Sequence, residues 1–283
     1  MLVNMNEILL DAQKKKYAVG LFNTIDTDAI EAAIGAAEEL KSPIIIGTAE
    51  VLLPYGELQL IGPSMINMAK NASVPVAVHY DHGLTSERCL EALNLGFTSV
   101  MYDCSVDTYE NNIKRVKEMA DIAHSFGATI EGELGHVGDN EDSLEGEISE
   151  ENPEKMYTDP LKAKEFVEKT GVDALAVAIG TAHGTYKAKP KLDIRRLKEI
   201  SDTIETPLVL HGGSGLTKED FENCIENGIT KVNIFTDLYS AGRNAIEENA
   251  AKDYHSIRAE KVNAIKEAVK EKIMLFGSFG MAK

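Results

Sequence analysis

Three short segments place an imidazole directly before a glycine: His79-Tyr80-Asp81-His82-Gly83, Gly180-Thr181-Ala182-His183-Gly184 and His211-Gly212-Gly213-Ser214-Gly215. Three neutral imidazoles with one position left open are the donor set of a catalytic zinc ion, which binds ring nitrogen and keeps a site for substrate oxygen. The glycines after His82, His183 and His211 let backbone come close to a ligand. A hydrogen-bonded rim histidine would account for any one of these residues, but it accounts poorly for all three together. The other histidines are weaker candidates. His79 faces the same way as Asp81 by strand alternation, so it reads as a partner of the site rather than a ligand. His124 and His255 fall on helical patterns, and His136 lies in a loop with no clear role.

Carboxylates complete the constellation. Asp81 adjoins His82, Asp103 closes a further apolar run, and Glu133 closes the next. An acid at such a position is costly unless it meets a metal, a donor or a substrate proton. Glu131 and Glu133 share one strand face, so one of them could be structural. Glu141 and Asp142 lie in a long acidic segment, where solvated loop acids are an equal reading. An anion grip is suggested by Gly212, Gly213, Ser214 and Gly215, which offer backbone N–H groups and a hydroxyl. Asn233 and Thr236, with Asp237 beside them, could lead a helix N-terminus onto the same anion. Lys187 can add a charge there or stand solvated in its loop.

These residues need a frame that gathers strand ends. Apolar, β-rich runs recur at 17–23, 42–48, 74–81, 98–104, 128–135, 173–180, 206–212 and 230–236. Helical patterns such as 28–40, 86–96, 109–127 and 159–171 lie between them, several ending in glycine. Strands alternating with helices imply βαβ units and a parallel sheet, and eight units close a barrel. The expected fold is therefore α/β, a (β/α)8 TIM barrel with an extra C-terminal helix from about 254. Active sites of such barrels sit at the C-terminal ends of the strands, where the histidines fall. An open doubly wound sheet fits less well, because no GxGxxG follows the first strand. Residues 136–158 are acidic and lack apolar periodicity, and they read as a mobile, functional loop after strand five.

The length of 283 residues suits one barrel, and we expect a single domain over 1–283. A formal charge of −17 argues against nucleic acid and anionic membranes as partners. Cys89, Cys104 and Cys224 are too widely spaced for a CxxC zinc site or a disulfide framework. No apolar run approaches the ~18 residues of a membrane span, and the first residues form an amphipathic helix rather than a signal peptide. The cytoplasm is the expected compartment.

The segments YAVGLFN, KSPIIIGT, VHYDHG, SVMYDCS, EGELGHVG, ALAVAIGTAHGTY, PLVLHGGSG, KVNIFTDL and LFGSFG together resemble the class II, metal-dependent ketose-bisphosphate aldolases over essentially the whole chain. The resemblance implies His82, His183 and His211 as zinc ligands, and Asp103 and Glu133 as acids at a second or alternative metal position. It implies Asp81 as the acid/base at the hydroxyl of the bond being broken and Glu141 as the loop acid that exchanges a proton with the enediolate. Gly184, Gly212, Gly213, Ser214, Asn233 and Thr236 match the grip on dihydroxyacetone phosphate. A monovalent cation near the glycine loops and a homodimer or homotetramer follow from the family as well. The chain departs from the family pattern at Tyr80, Tyr102, Cys104 and Phe235, and it carries KDYHSIR where a DPRxY-like stretch shapes the aldehyde end.

The expected reaction is cleavage of a phosphorylated ketose, fructose 1,6-bisphosphate first, to dihydroxyacetone phosphate and an aldehyde. Zinc would serve as the electrophile and a carboxylate as the base. A Schiff-base aldolase needs a lysine inside the barrel. Strand six holds none, and Lys231 is expected at the opposite rim. A barrel hydrolase would show His-x-His on the first strand, where this chain has Phe22-Asn23-Thr24. A non-catalytic accessory subunit would have lost ligands that are present here.

Overall fold

The computed structural model describes residues 1–135, 137, 157–184 and 190–282. Within them, parallel strands β1 (Val19–Asn23), β2 (Ile44–Ala49), β3 (Val76–Gly83), β4 (Ser99–Tyr102), β5 (Thr129–Leu134), β6 (Ala174–Val177), β7 (Leu208–Leu210) and β8 (Ile229–Ile234) close a barrel in sequence order. The helices between them are α2 (Thr27–Glu39), α3 (Leu58–Asn71), α4 (Ser86–Leu95), α5 (Tyr109–Ser125), α6 (Pro160–Thr170), α7 (Ile194–Thr203) and α8 (Lys218–Glu226), with α9 (Thr236–Glu248) after β8. Helix α10 (Tyr254–Phe276) is the expected extra element and packs outside the barrel on α2 and α9. No helix among the described residues is long and apolar enough to cross a membrane.

Two apolar layers follow from the period-2 pattern of buried strands. Outward residues such as Phe22, Ile44, Val78, Tyr80, Ile130 and Leu210 meet the helices in the outer core. Inward residues Val19, Leu21, Ile45, Ala77, Ala174, Ala176 and Val209 join Met5, Ile8, Leu9 and Ala12 in a separate inner cluster. The latter four belong to α1 (Met5–Lys15), which starts at a capping box between Asn4 and Glu7 and closes the bottom of the barrel. Above this floor the inward positions turn polar, with Asn23, His79, Asp81, Glu131, Glu133, Lys231 and Asn233 all buried.

Strands β6 and β7 stop earlier than the apolar runs suggest. His183 therefore stands in the segment beyond β6, and His211 lies just past β7. The long acidic segment, with His136, Glu141 and Asp142, falls outside the described residues apart from residues 137, 157 and 158, as does Lys187.

Candidate metal and aldol site

Strand β3 shows how sequence becomes geometry. Alternation turns His79 and Asp81 into the barrel and Tyr80 outward, where its ring meets Phe97 edge-on. By that rule His82 would point out. Instead the β3–β4 register shifts between Tyr80 and Gly83, and His82 adopts φ 41°, a left-handed backbone that a histidine rarely takes. The irregularity re-aims His82 toward the barrel mouth, as bulges next to functional sites do.

There it meets the two other histidines. Ring centroids lie 4.9 Å apart for His82 and His183, 4.6 Å for His82 and His211, and 5.8 Å for His183 and His211. One ring nitrogen from each falls within 4.8 Å of the other two. Carboxylates hold the opposite edges of two rings. His82 Nδ1 pairs with Asp103 Oδ2 at 2.8 Å, and His211 Nε2 pairs with Glu131 Oε1 at 2.8 Å. His82 turns its other nitrogen, Nε2, inward, and His211 turns Nδ1 inward, where it lies 3.1 Å from Glu133 Oε2. His82 Nε2 is buried with no hydrogen-bond partner among the described residues. These donors fit a zinc-sized cation, and a second group of His82, Asp103 and Glu133 could share one too.

The electrostatics point the same way. Asp81, Asp103, Glu131 and Glu133 surround the rings. Burial opposes charge on His211, yet hydrogen bonds to Glu131 and Glu133 push it up to about 10. Burial likewise opposes charge on Asp81, but the neighbouring imidazoles and Lys231 hold its carboxyl well below the usual range. The buried carboxylates that push His211 up are the negative surroundings that a bound cation would neutralise.

Asp81 sits beside the rings as a doubly supported acceptor. Asn23 Nδ2 donates to its Oδ2 at 2.7 Å, and Asn233 Nδ2 donates to both oxygens at 3.1 Å. His79 Nε2 is 3.7 Å from Asp81 Oδ1, and its Nδ1 contacts Ser99 Oγ at 2.7 Å, so it supports the carboxylate. Asp81, His82, His183, Gly184, Gly212, Gly213, Ser214, Asn233 and Thr236 line one pocket of about 370 Å³. The glycine-rich turn is partly committed internally. Gly213 N–H donates to Asn233 O, and Ser214 Oγ accepts from Phe235 N–H. Asn233, expected in the anion grip, lines the pocket, and its amide pairs with Asp81 and Lys231.

Lys231 corrects a sequence expectation. It lies inside the barrel, fully buried, not at the opposite rim. Because β8 begins at Ile229, Lys231 is already on the inward face shared with Asn233. That two-residue spacing was the available signal, and the polar end of β1 was the signal for Asn23. Its Nζ pairs with Glu131 Oε2 at 2.8 Å, so the amine is tied to a carboxylate.

A family model described as fructose-bisphosphate aldolase, class II, matches residues 3–281. The chain belongs to this family. Among its aldolase relatives, the fructose-bisphosphate aldolase of Geobacillus stearothermophilus is 40% identical over 99% of both chains. The YdjI protein of Escherichia coli K12 is 41% identical over 96% of each. The crystal structure of the YdjI aldolase superposes with a TM-score of 0.91 over 100% of both chains at 38% identity.

Proposed function

We propose that this chain is a zinc-dependent aldolase that cleaves a ketose 1,6-bisphosphate, fructose 1,6-bisphosphate first, to dihydroxyacetone phosphate and glyceraldehyde 3-phosphate. The observation that carries the reading is the meeting of His82, His183 and His211 beside Asp81 in one pocket. The three imidazoles would hold the cation, with Asp103 and Glu133 at an alternative position. When bound, it supplies an electrophile for the charge that reaches the ketose C2 oxygen as the C3–C4 bond breaks. Asp81, kept ionised by the neighbouring imidazoles and Lys231 and held by its two asparagine donors, takes the C4 hydroxyl proton, so the C4 side leaves as an aldehyde. Glu141 keeps the role the resemblance gives it, returning a proton to C3. Gly184, Gly212, Gly213, Ser214 and Thr236 face the C1 phosphate, with Asn233 behind them and Lys187 as an added charge. The α9 N-terminus, whose Phe235 cap makes no side-chain hydrogen bond, adds the positive end of its dipole. A single domain over 1–283, a homodimer or homotetramer, a monovalent cation near the glycine loops and a cytoplasmic setting belong to the same reading.

One observation favours a second substrate class. Across the pocket from the glycine turn, Val51, Leu52, Leu84 and Val106 form an apolar wall on the loops after β2, β3 and β4. Such a wall suits an aldehyde portion without a phosphate. A panel of fructose 1,6-bisphosphate, tagatose 1,6-bisphosphate and ketose 1-phosphates, read by dihydroxyacetone phosphate release, separates the two. A chelator should abolish release and added zinc restore it, while borohydride with substrate should trap no adduct. Turnover that survives chelation would refute the metal-dependent reading.

A further inference from the structure

Lys231 takes no part in the chemistry above, yet it is fully buried beneath it. Its Nζ does two things. It pairs with Glu131 Oε2 at 2.8 Å, and it donates to Asn233 Oδ1 at 2.8 Å. A lysine ammonium has only donors, so it fixes which end of the Asn233 amide faces it. The other end, Nδ2, must then face Asp81, and it donates to both carboxylate oxygens at 3.1 Å. A reversed amide would set a carbonyl oxygen against that carboxylate. On its other side, Lys231 balances the charge of Glu131, whose Oε1 orients His211 through Nε2.

We propose that Lys231 is a positioning residue for the aldol step, setting the sense of the Asn233 amide and so the paired donor contact that holds Asp81. The proposal rests on Asp81 being the base for the C4 hydroxyl. Lys231→Met alone would leave Glu131 charged and buried without its partner, so the decisive variant is Lys231→Met combined with Glu131→Gln. A glutamine Oε1 can still accept from His211.

The metal-loaded full chain is tested for ketose cleavage, for solvent exchange of the hydroxymethyl proton of dihydroxyacetone phosphate, and for bound zinc. Exchange uses the histidine site but involves no C4 hydroxyl. Glu131→Gln alone carries any effect on His211 and the metal, and read against that single variant the double variant should hold the same zinc and exchange rate while its cleavage kcat is about 10–100-fold lower. Asn233→Leu, with Lys231 in place, should lower cleavage more than exchange. The proposal is overturned if the double variant cleaves as well as Glu131→Gln alone, if cleavage and exchange fall in equal proportion from that reference, or if Asn233→Leu leaves their ratio unchanged. A wild-type chain that performs neither reaction would instead sink the aldolase reading itself.

Discussion

His82 occupies a backbone conformation that costs about 1–3 kcal/mol for a non-glycine residue, and surrounding structure must hold it there. What holds it is Asp103 on one ring edge and the two other imidazoles on the opposite side. Strain at one residue is thus converted into convergence of three. The roles of neighbouring residues should separate cleanly on substitution. His183→Ala removes a ring nitrogen from the cluster and should lose bound zinc and cleavage together. Asp81→Ala leaves the cluster whole, so zinc should stay while cleavage falls about 10²–10⁴-fold, the range for removing a positioned proton acceptor. Metal analysis beside a dihydroxyacetone phosphate assay reads both. Normal turnover in a zinc-replete Asp81→Ala enzyme would remove Asp81 from the mechanism.

Elements set those residues at a common level through strand ends and close loop approaches. Gly212 follows His211 at φ 67°, and a Cβ built on it would fall 2.4 Å from the carbonyl oxygen of Ala182, the residue before His183. Because that contact is backbone, the loop carrying His183 would have to move. Gly212→Ala should therefore weaken zinc binding and lower cleavage about 100-fold, since a misplacement of about 1 Å can cost that much. Gly96→Ala is the matched control, with φ 96° but open space around the added carbon, so it should lower Tm while leaving kcat unchanged. Equal kcat in the two variants would contradict the packing argument. The same element scale explains what could be read beforehand. Eight apolar runs with helices between them revealed the barrel, and the strand-end rule placed Asp81, His183 and His211 near its mouth. His82 escaped alternation because a bulge is a two-strand property that no single run of residues displays. Lys231 was misplaced because β8 starts earlier than its polar residues suggest, its first residue being paired to Leu208 of β7.

The whole molecule divides along the barrel axis. Below lies an apolar floor of Leu21, Ile45, Ala77, Ala174, Ala176 and Val209, plugged by α1, and above it lies the charged mouth. The division lets a cluster of buried carboxylates exist at all, since the floor supplies burial energy without offering polar groups that would compete for the histidines. It also predicts that stability and catalysis can be varied separately. Leu9 on α1 is fully buried in the floor cluster, which shares no residue with the lining of the site pocket. Leu9→Ala should cost about 2–5 kcal/mol through lost contacts and the cavity left behind. At about 2–4 °C per kcal/mol for a chain of this size, Tm should fall by roughly 4–20 °C. Below the transition, kcat and zinc content per folded molecule should match the parent, because the strands between floor and mouth are pinned by their neighbours all round the closed sheet. A drop in kcat with Tm unchanged would show that α1 reaches the site, and the floor would then be part of the catalytic machinery rather than its foundation.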